Sequence, residues 1–310
     1  MSYAAAPGRM HACGHDVHLA ALTALVRAAQ QVDLPLSLLA ILQPREESFP
    51  SGAQDIVRCG ALTKHDTRAV IGAHIQPLLP EGTVAATPGA VNAAADDFVI
   101  TVSGRGGHGG YPQLAADPVV ALAHIIVAAQ QIVSRRMDPM HAAVVTIGRV
   151  ASGSAPNVIP GIAHAHGTLR ALDPADRSTL RRELSAIVDH TAQAHGCKGT
   201  VELSAGEPVL FNDPDLAAAA EPWLGRLGLQ TAPPLRSCGS DDFAYYGTAV
   251  PALMLFVGMR PRRVPAVQQP GLHHPAFHPP DHAIGDVARA LLAGFLAAAQ
   301  AILRPGRDAV

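Results

Sequence analysis

Residues 36–75 read LSLLAILQPREESFPSGAQDIVRCGALTKHDTRAVIGAHI, and this stretch decides the fold class. It opens on a short apolar run, 36–42, which predicts a buried β-strand. Residues 51–62 suit a helix that Ser51 caps, and the apolar run 68–75 predicts a second buried strand. Strand, helix and strand in this order, with both strands apolar throughout, indicate an α/β layer that is covered on both faces.

The pattern changes near residue 96 and returns near residue 213. Between these points, alternating runs predict four strands and longer periodic stretches predict two helices, at 98–103, 117–136, 143–150, 163–171, 174–195 and 200–204. The later part predicts a helix, a buried strand and a closing helix, at 215–227, 252–257 and 284–302. We therefore expect a discontinuous α/β domain (1–95 and 213–310) and an inserted α+β domain (96–212) with a four-stranded sheet and two helices.

Composition narrows the class of protein. The chain has 310 residues, 48% of them hydrophobic and 15% charged, which is enough to bury a sizeable core. A net charge of -2 argues against a nucleic-acid partner. The apolar runs are shorter than a membrane-spanning helix, which argues against insertion in a membrane. Four widely spaced Cys and an N-terminus without a signal-peptide pattern favour the cytoplasm.

Histidine is abundant, and the densest cluster is HACGHDVH at residues 11–18. Cys13 and His15 stand two residues apart on a predicted loop, where a thiolate and an imidazole can point at one metal ion. Two other interpretations stay open. The run could be a polar turn in which His15 or Asp16 caps the next helix. Cys13 could instead be a nucleophile with a His base.

Further candidates follow apolar strands, where sites collect in α/β sheets. Glu46 and Glu47 come just after the run 36–42, so one carboxylate could bind metal while the other moves a proton. A solvated loop pair is the alternative. His74 lies near the end of the run 68–75. It could reach the same cleft as Glu46 and Glu47, or it could be a hydrogen-bonded residue of the core.

Later candidates are less specific. His273 and His274 precede the closing helix, where either could be a ligand or part of a surface cluster. Asp241 and Asp242, in GSDDF, suit a helix N-terminus or partners of a metal-bound His.

In the inserted domain, His108 lies among four glycines, either near a ligand or in a tight turn. Asn157 and Arg170 flank a predicted strand and could bind a carboxylate, although such residues are often structural.

In their order, these motifs resemble those of the peptidase-like amidohydrolases, which include hippurate hydrolases, N-acetyl-amino-acid deacetylases and auxin-conjugate hydrolases. The motifs span essentially the whole chain: MHACGHDVH, QPREES, GAHIQP, GRGGHGGYP, APNVIP, GTLR, GSDDFAYY and LHHPAF. The resemblance implies two divalent ions, Zn, Mn, Co or Ni, held by Cys13, His15, Glu47, His74 and His273. It also implies that Glu46 is the catalytic base.

The resemblance carries further expectations. It implies a metal-binding α/β catalytic domain with an inserted lid or dimerisation domain, in a homodimer. His108 would reach the active site of the partner subunit, while Asn157 and Arg170 would bind substrate. The reaction would be hydrolysis of the amide bond of an N-acyl amino acid, or of a short peptide-like substrate, by a water activated between the two ions.

One departure concerns the start of the chain. The resemblance implies further strands, a helix and an Asp near the metal site before the first motif, whereas ten residues precede His11 here. The alternative expectation is therefore a truncated paralogue that forms dimers without catalysis.

Overall fold

The computed structural model of the protein describes residues 10–303, so the ends of the predicted domain ranges, 1–9 and 304–310, lie outside the described residues. Across the described part, the helices in chain order are α1 (His15–Ala29), α2 (Gly52–Arg58), α3 (Ala61–Lys64), α4 (Pro118–Gln131), α5 (Pro174–Ala194), α6 (Pro214–Arg226) and α7 (Ala283–Leu303). The strands are β1 (Val70–Pro80), β2 (Thr83–Ala85), β3 (Gly89–Asn92), β4 (Ala94–Ser103), β5 (Gly107–His108), β6 (Ala143–Ser152), β7 (Val158–Ile159), β8 (Ile162–Ala171), β9 (Lys198–Ala205), β10 (Leu210–Asn212), β11 (Gln230–Thr231) and β12 (Ala252–Arg260).

Side-chain caps explain where several helices begin. Asp117, Asp173 and Asp213 each precede a proline at the first helical position, and each carboxylate accepts backbone N–H bonds from the first turn. Ser51 caps α2 in the same way by accepting from Gln54 N, as the sequence predicts. Local chemistry thus sets these helix starts.

The chain divides into two compact units. Of the described residues, the larger unit contains 10–91, 211–236 and 242–303, and the inserted unit contains 92–210 and 237–241. The boundaries of the inserted unit lie at 91/92 and 210/211. The sequence predicts them a few residues later, at 95/96 and 212/213. The short return segment 237–241 carries no sequence signal that assigns it to the inserted unit.

A mixed sheet in the order β1-β12-β2-β11 forms the centre of the larger unit. β1 and β12 are parallel neighbours, with His74 beside Phe256, and nearly all of β12 is buried. Helix α7 packs on both strands, and at Gly294 it approaches β1 so closely that a Cβ would lie 2.4 Å from Ile71 Cγ2. This α/β arrangement confirms the predicted fold class.

The inserted unit is an antiparallel sheet in the order β6-β8-β4-β9, with α4 and α5 packed on it. Alternate residues Phe98, Ile100 and Val102 of β4 are buried against these helices, which explains the period of two in the sequence. Four strands and two helices confirm the predicted α+β fold of this unit. Because β4 is an inner strand, the exposed sheet edges belong to β6 and β9.

A buried ion cluster holds α5 to this sheet. The side chain of Asp96 is fully buried and accepts hydrogen bonds from Arg177 and Arg181, two guanidinium groups one helical turn apart. Burial alone would raise the pKa of Asp96, but the hydrogen bonds and charges of both Arg side chains outweigh it and lower the pKa. The carboxylate is therefore ionised at neutral pH.

The predicted strand at 36–42 is wrong. These residues lie outside the sheets formed by the described part of the chain, and the side chain of Leu42 is 70% exposed. An apolar run becomes a strand only where a neighbouring strand takes up its backbone hydrogen bonds, and the sequence pattern does not report that neighbour.

Two helices are long and apolar enough to cross a membrane by length and composition alone, at 118–136 and 283–303. Core helices of other proteins meet the same criterion. Here each helix packs one face into the hydrophobic core of its own unit, through Leu122 and Ile125 in the first and Ala290 and Ala297 in the second. Their apolar composition therefore has an explanation within the fold.

Candidate metal centre

A tight turn before α1 presents the first two candidate ligands. Gly14, between Cys13 and His15, has φ 85°, and a Cβ there would lie 2.1 Å from Ile75 Cδ1. Both the left-handed backbone and the close approach to β1 therefore require glycine. The turn brings Cys13 Sγ to 3.4 Å from His74 Nε2.

His74, on β1, is held in one orientation. Its Nδ1 donates a hydrogen bond to the Ile75 carbonyl at 2.7 Å, so Nε2 is the unprotonated nitrogen and faces Cys13. Burial lowers the pKa of His74 to about 4, although the bond to Ile75 opposes the shift. The imidazole is therefore neutral at physiological pH, as a metal ligand must be.

His18 lies beside these candidate ligands, although the sequence assigns it no role. Its Nε2 accepts the backbone N–H of Ile75 at 3.1 Å, and its ring centroid lies 4.5 Å from that of His74. Burial, followed by the neighbouring imidazoles of His74 and His15, holds the pKa of His18 well below its usual value. The dense His pattern of residues 11–18 signalled this region, but not this contact.

The adjacent carboxylates Glu46 and Glu47 both face imidazole nitrogens. His15 Nε2 lies 3.4 Å from Glu46 Oε2 and 3.9 Å from Glu47 Oε1. Glu47 Oε1 is also 3.1 Å from His273 Nε2, so Glu47 lies between two imidazoles.

His273 enters the centre from the loop before α7. Its φ of 65° is left-handed, which is uncommon for a residue with a side chain. Its backbone N–H donates to the Ala12 carbonyl at 2.7 Å, so this loop is tied to the first motif. The neighbouring His274 instead accepts from Ala276 N through Nδ1.

The donor set fits a pair of divalent ions. Three overlapping groups have ligand atoms within 4.8 Å of one another: Cys13, His15 and His74; Cys13, Glu47 and His273; His15, Glu46 and Glu47. His15 Nε2 is buried and lacks a hydrogen-bond partner in the described structure, although two carboxylates face it. A cation between them would satisfy that nitrogen, and thiolate, imidazole and carboxylate together suit Zn, Mn, Co or Ni.

In the inserted unit, the structure brings His108 and Asn157 together. The short strands β5 and β7 pair, with His108 opposite Val158, and Gly109 N donates to the Asn157 carbonyl at 2.8 Å. His108 Nδ1 accepts from Gly110 N at 3.0 Å, so Nε2 carries the ring proton of the neutral imidazole. This exposed side chain therefore offers one N–H donor.

Arg170 is not part of that cluster. It lies eight residues along β8 from Ile162, roughly 26 Å at the usual strand rise, and it donates to Ser240 Oγ at 2.9 Å. Arg170 thus lies at the opposite end of β8 from the turn that follows Asn157. That Asn157 and Arg170 both bind the substrate carboxylate therefore stays a prediction.

Comparison with known proteins gives a consistent result. The family model described as peptidase family M20/M25/M40 matches residues 2–297. N-acetyldiaminopimelate deacetylase of Shouchella clausii is 34% identical over 293 residues, covering 94% of this chain and 76% of that protein. N-acetyl-L-cysteine deacetylase of Bacillus subtilis is 34% identical, covering 87% of this chain and 63% of that protein.

A solved structure agrees with these relatives. The YXEP protein of Bacillus subtilis, described as a dinuclear metal binding peptidase from the M20 family, superposes with a TM-score of 0.76 and 29% identity. The match covers 93% of this chain and 72% of that one.

Proposed function

Because the chain belongs to peptidase family M20/M25/M40, we propose that it hydrolyses the amide bond of N-acyl amino acids at a centre of two divalent ions. One observation carries the proposal: ligand-type atoms of Cys13, His15, Glu47, His74 and His273 converge, with Glu46 beside them. Relatives named for deacetylation of N-acetyl amino acids support the substrate class, and a relative described as dinuclear supports the number of ions.

The five converging residues would hold the ions. When bound, the ions supply Lewis-acid polarisation of the substrate carbonyl and of water. Glu47, between His15 and His273, would be one of the residues that hold them. Cys13, which belongs to two of the ligand groups, would hold them as well.

Glu46 is assigned the proton transfer. Its carboxylate approaches His15 at 3.4 Å, whereas Glu47 is the carboxylate that lies between His15 and His273. In the proposed reaction, Glu46 accepts a proton from the attacking water and then delivers it to the nitrogen of the leaving amine. A carboxylate within reach of both atoms can serve as base and then as acid.

The remaining site residues belong to the inserted unit, and we propose that they act across a homodimer. The Nε2–H of His108 is an exposed donor suited to the oxyanion that forms on the amide carbonyl, with Asn157 beside it. Arg170 lies at the end of β8 remote from Ile162, which supports its acting from the other subunit. In this scheme, each substrate meets Arg170 of one chain and His108 and Asn157 of its partner.

Two further expectations complete the proposal. The four cysteines all lie in the described part of the chain and form no disulfide there, and the reducing cytoplasm would keep Cys13 available as a ligand. The alternative of a non-catalytic dimer-forming remnant is not favoured, because the complete set of ligand residues and the base are brought together.

The central test combines metal analysis with hydrolysis of N-acetyl amino acids. Glu46→Gln should keep the metal content of the parent and lose roughly 10²–10⁴-fold in kcat, the range for a general acid–base group. Glu47→Gln should lose metal as well as activity. Glu221→Gln, an exposed change on α6, is the matched control and should resemble the parent. A parent protein that binds no ion above background after reconstitution contradicts the proposal.

The dimer scheme has its own test. Inactive His108→Ala and inactive Glu46→Gln chains are refolded together, so that mixed dimers contain one site with an intact Glu46 and an intact partner His108. We expect these dimers to regain part of the activity. Verified mixed dimers without activity would place His108 outside the partner's reaction, and a strictly monomeric protein would remove the premise.

A further inference from the structure

Asp242 belongs to the motif GSDDF and has no part in the reaction proposed above. It lies in the larger unit, at the start of a 3₁₀ helix (Asp242–Thr248), and is 2% exposed. Its described hydrogen bonds go to neutral donors and not to a histidine. Gln43 Nε2 donates at 2.6 and 2.8 Å, Ser51 Oγ at 2.6 Å and Ala53 N at 3.3 Å. A buried carboxylate is thus satisfied by one short segment of chain, although that segment lies about 190 residues earlier in the sequence.

These donors stand at the two ends of the loop that carries the catalytic carboxylates. Gln43 precedes this loop, 44–50, and Ser51 follows it. The ends also touch directly, since Gly52 N donates to Arg45 O at 3.4 Å and a Cβ on Gly52 would lie 1.7 Å from Pro44 O. The loop is therefore closed at its base, and Asp242 binds both sides of that closure.

A tyrosine fixes the orientation of Gln43. Tyr246, one turn beyond Asp242, donates from its hydroxyl to Gln43 Oε1 at 2.9 Å, while Asp242 takes Gln43 Nε2. Both the oxygen and the nitrogen of the Gln43 amide are hydrogen-bonded, so a 180° flip of the amide would break the bonds to Tyr246 and to Asp242. Burial and then the charge of Asp242 raise the pKa of Tyr246, which keeps the hydroxyl protonated as a donor.

We propose that Asp242 is a positioning residue, which fixes the loop 44–50 and so sets where Glu46 and Glu47 meet the other ligands. The carboxylates of Glu46 and Asp242 approach within 4.8 Å, so the anchor lies close to the proposed base. Partners behind metal ligands typically contribute 10–100-fold to metal affinity or activity. The catalytic consequence rests on the proposed function, whereas the anchoring itself does not.

The first measurement is amide hydrogen exchange of the metal-free protein. Asp242→Asn loses the charged acceptor, and we expect residues 44–54 to exchange about tenfold faster or more. Asn212→Ala is the matched control. The side chain of Asn212 is also buried in the larger unit and bonded to backbone, through Thr87 O, Met254 O and Met254 N, but not to the loop. This control should leave exchange of 44–54 unchanged.

The second measurement is ion affinity by chelator competition, together with kcat and KM. For Asp242→Asn we expect a 10–100-fold loss in the affinity of the weaker ion and in kcat, with KM changed by less than about threefold. Asn212→Ala should not move these quantities, even if it lowers the overall stability.

A swap provides the rescue. In the double variant Gln43→Glu with Asp242→Asn, residue 43 becomes the carboxylate and residue 242 the amide donor. Tyr246 still donates to residue 43, and Ser51 still donates to residue 242. We expect loop exchange and ion affinity to return to within about threefold of the parent, because each donor again has an acceptor.

Specific outcomes decide the matter. Parent-like loop exchange in Asp242→Asn overturns the proposal, as does failure of the swap to recover any of the loss. If Asp242→Asn does not fold, Tyr246→Phe removes only the hydroxyl that orients Gln43, and it must then speed loop exchange for the proposal to stand. A parent that binds no metal would contradict the proposed function, while the exchange data would still test the anchoring.

Discussion

The Nε2 atom of His18 accepts a hydrogen bond from the backbone N–H of Ile75 at 3.1 Å. The carbonyl of the same residue accepts from the ring of His74 at 2.7 Å, so both polar groups of Ile75 are bonded to imidazoles. The strand backbone and the ligand it carries are therefore fixed together, with His18 as the outer support. Such a contact would hold His74 rigidly enough for the role of metal ligand proposed for it.

Two replacements of His18 test the importance of its hydrogen bond to Ile75. His18→Leu leaves the Ile75 N–H unsatisfied, and we expect a loss of about 1–3 kcal/mol in stability and a roughly tenfold or greater loss in metal affinity. His18→Gln places an amide oxygen near the position of Nε2 and should recover most of both. The measurements are urea unfolding of metal-free protein and chelator competition. Equal behaviour of the two variants would show that the hydrogen bond is unimportant.

The two buried imidazoles predict a pH dependence of the metal-free protein. His18 and His74 have lowered pKa values in the folded state, whereas the unfolded chain binds their protons near the ordinary histidine pKa of 6.5. The stability of the metal-free protein is thus undiminished above pH 6.5 and falls as the pH drops below it, for His74 down to about 4. Within this window the neutral imidazole of His74 adds a slope of about 1.4 kcal/mol per pH unit, and His18 steepens the loss in the same direction. The His18→Gln variant should show a shallower slope, and an unchanged slope would contradict the assignment.

Gly14 tests the turn that presents Cys13 and His15. Gly14→Ala places a Cβ against Ile75 and requires a left-handed backbone from a residue with a side chain. We therefore expect the turn to shift together with the candidate ligands Cys13 and His15, and the metal content to fall severalfold. Gly60→Ala is a matched control, since Gly60 also has a left-handed φ but a Cβ there meets open space. Elemental analysis of both variants gives the comparison. If the two retain equal metal, the close approach to Ile75 does not govern the centre.

Asp96 tests the inserted unit separately. Asp96→Ala leaves two guanidinium groups without their buried partner, and we expect the free energy of unfolding to fall by about 3 kcal/mol. Glu183→Gln, which removes the exposed pairs with Arg136 and Arg182, should cost less than about 1 kcal/mol. Urea unfolding of both variants, beside the parent, measures the two changes. If Asp96→Ala lowers the free energy of unfolding as little as Glu183→Gln does, water has replaced the carboxylate as the partner of the two Arg side chains.

The acid limb of the stability profile offers a complementary measurement. The folded pKa of Asp96 is lowered, so its stabilisation is present above the unfolded pKa of about 3.9 and is lost as the pH falls through the folded value. The effect should therefore appear below pH 4, in a different window from that of the histidines. Asp96→Ala should remove it.

The elements that the sequence predicts well are those specified by neighbouring residues. The three Asp-Pro helix starts and the alternation of β4 depend on contacts within a few positions, and the structure has them where the patterns place them. The wrong strand at 36–42 and the unpredicted short strands β2 and β11 depend on which chain lies alongside. Pairing of that kind is a property of the fold and not of the local pattern.

The same distinction applies to the site. The motifs predict the ligand set Cys13, His15, Glu47, His74 and His273, because thiol, imidazole and carboxylate groups at loop ends are visible in the sequence. The roles of His18 and Asp242 are not visible in this way. Each acts through a contact with a distant segment, 57 residues away for His18 and 199 for the pair of Asp242 with Gln43.

The discontinuous larger unit has a consequence for biosynthesis. Its parallel pair, β1 and β12, joins segments on either side of the whole inserted unit, so its sheet cannot close until residue 260 has left the ribosome. The inserted unit is almost continuous and can collapse first. At about 5–20 residues per second, roughly 10–40 s separate the emergence of His74 from that of His273. If the centre binds metal as proposed, the nascent chain displays Cys13 and the first imidazoles throughout this interval, before His273 can complete the ligand set.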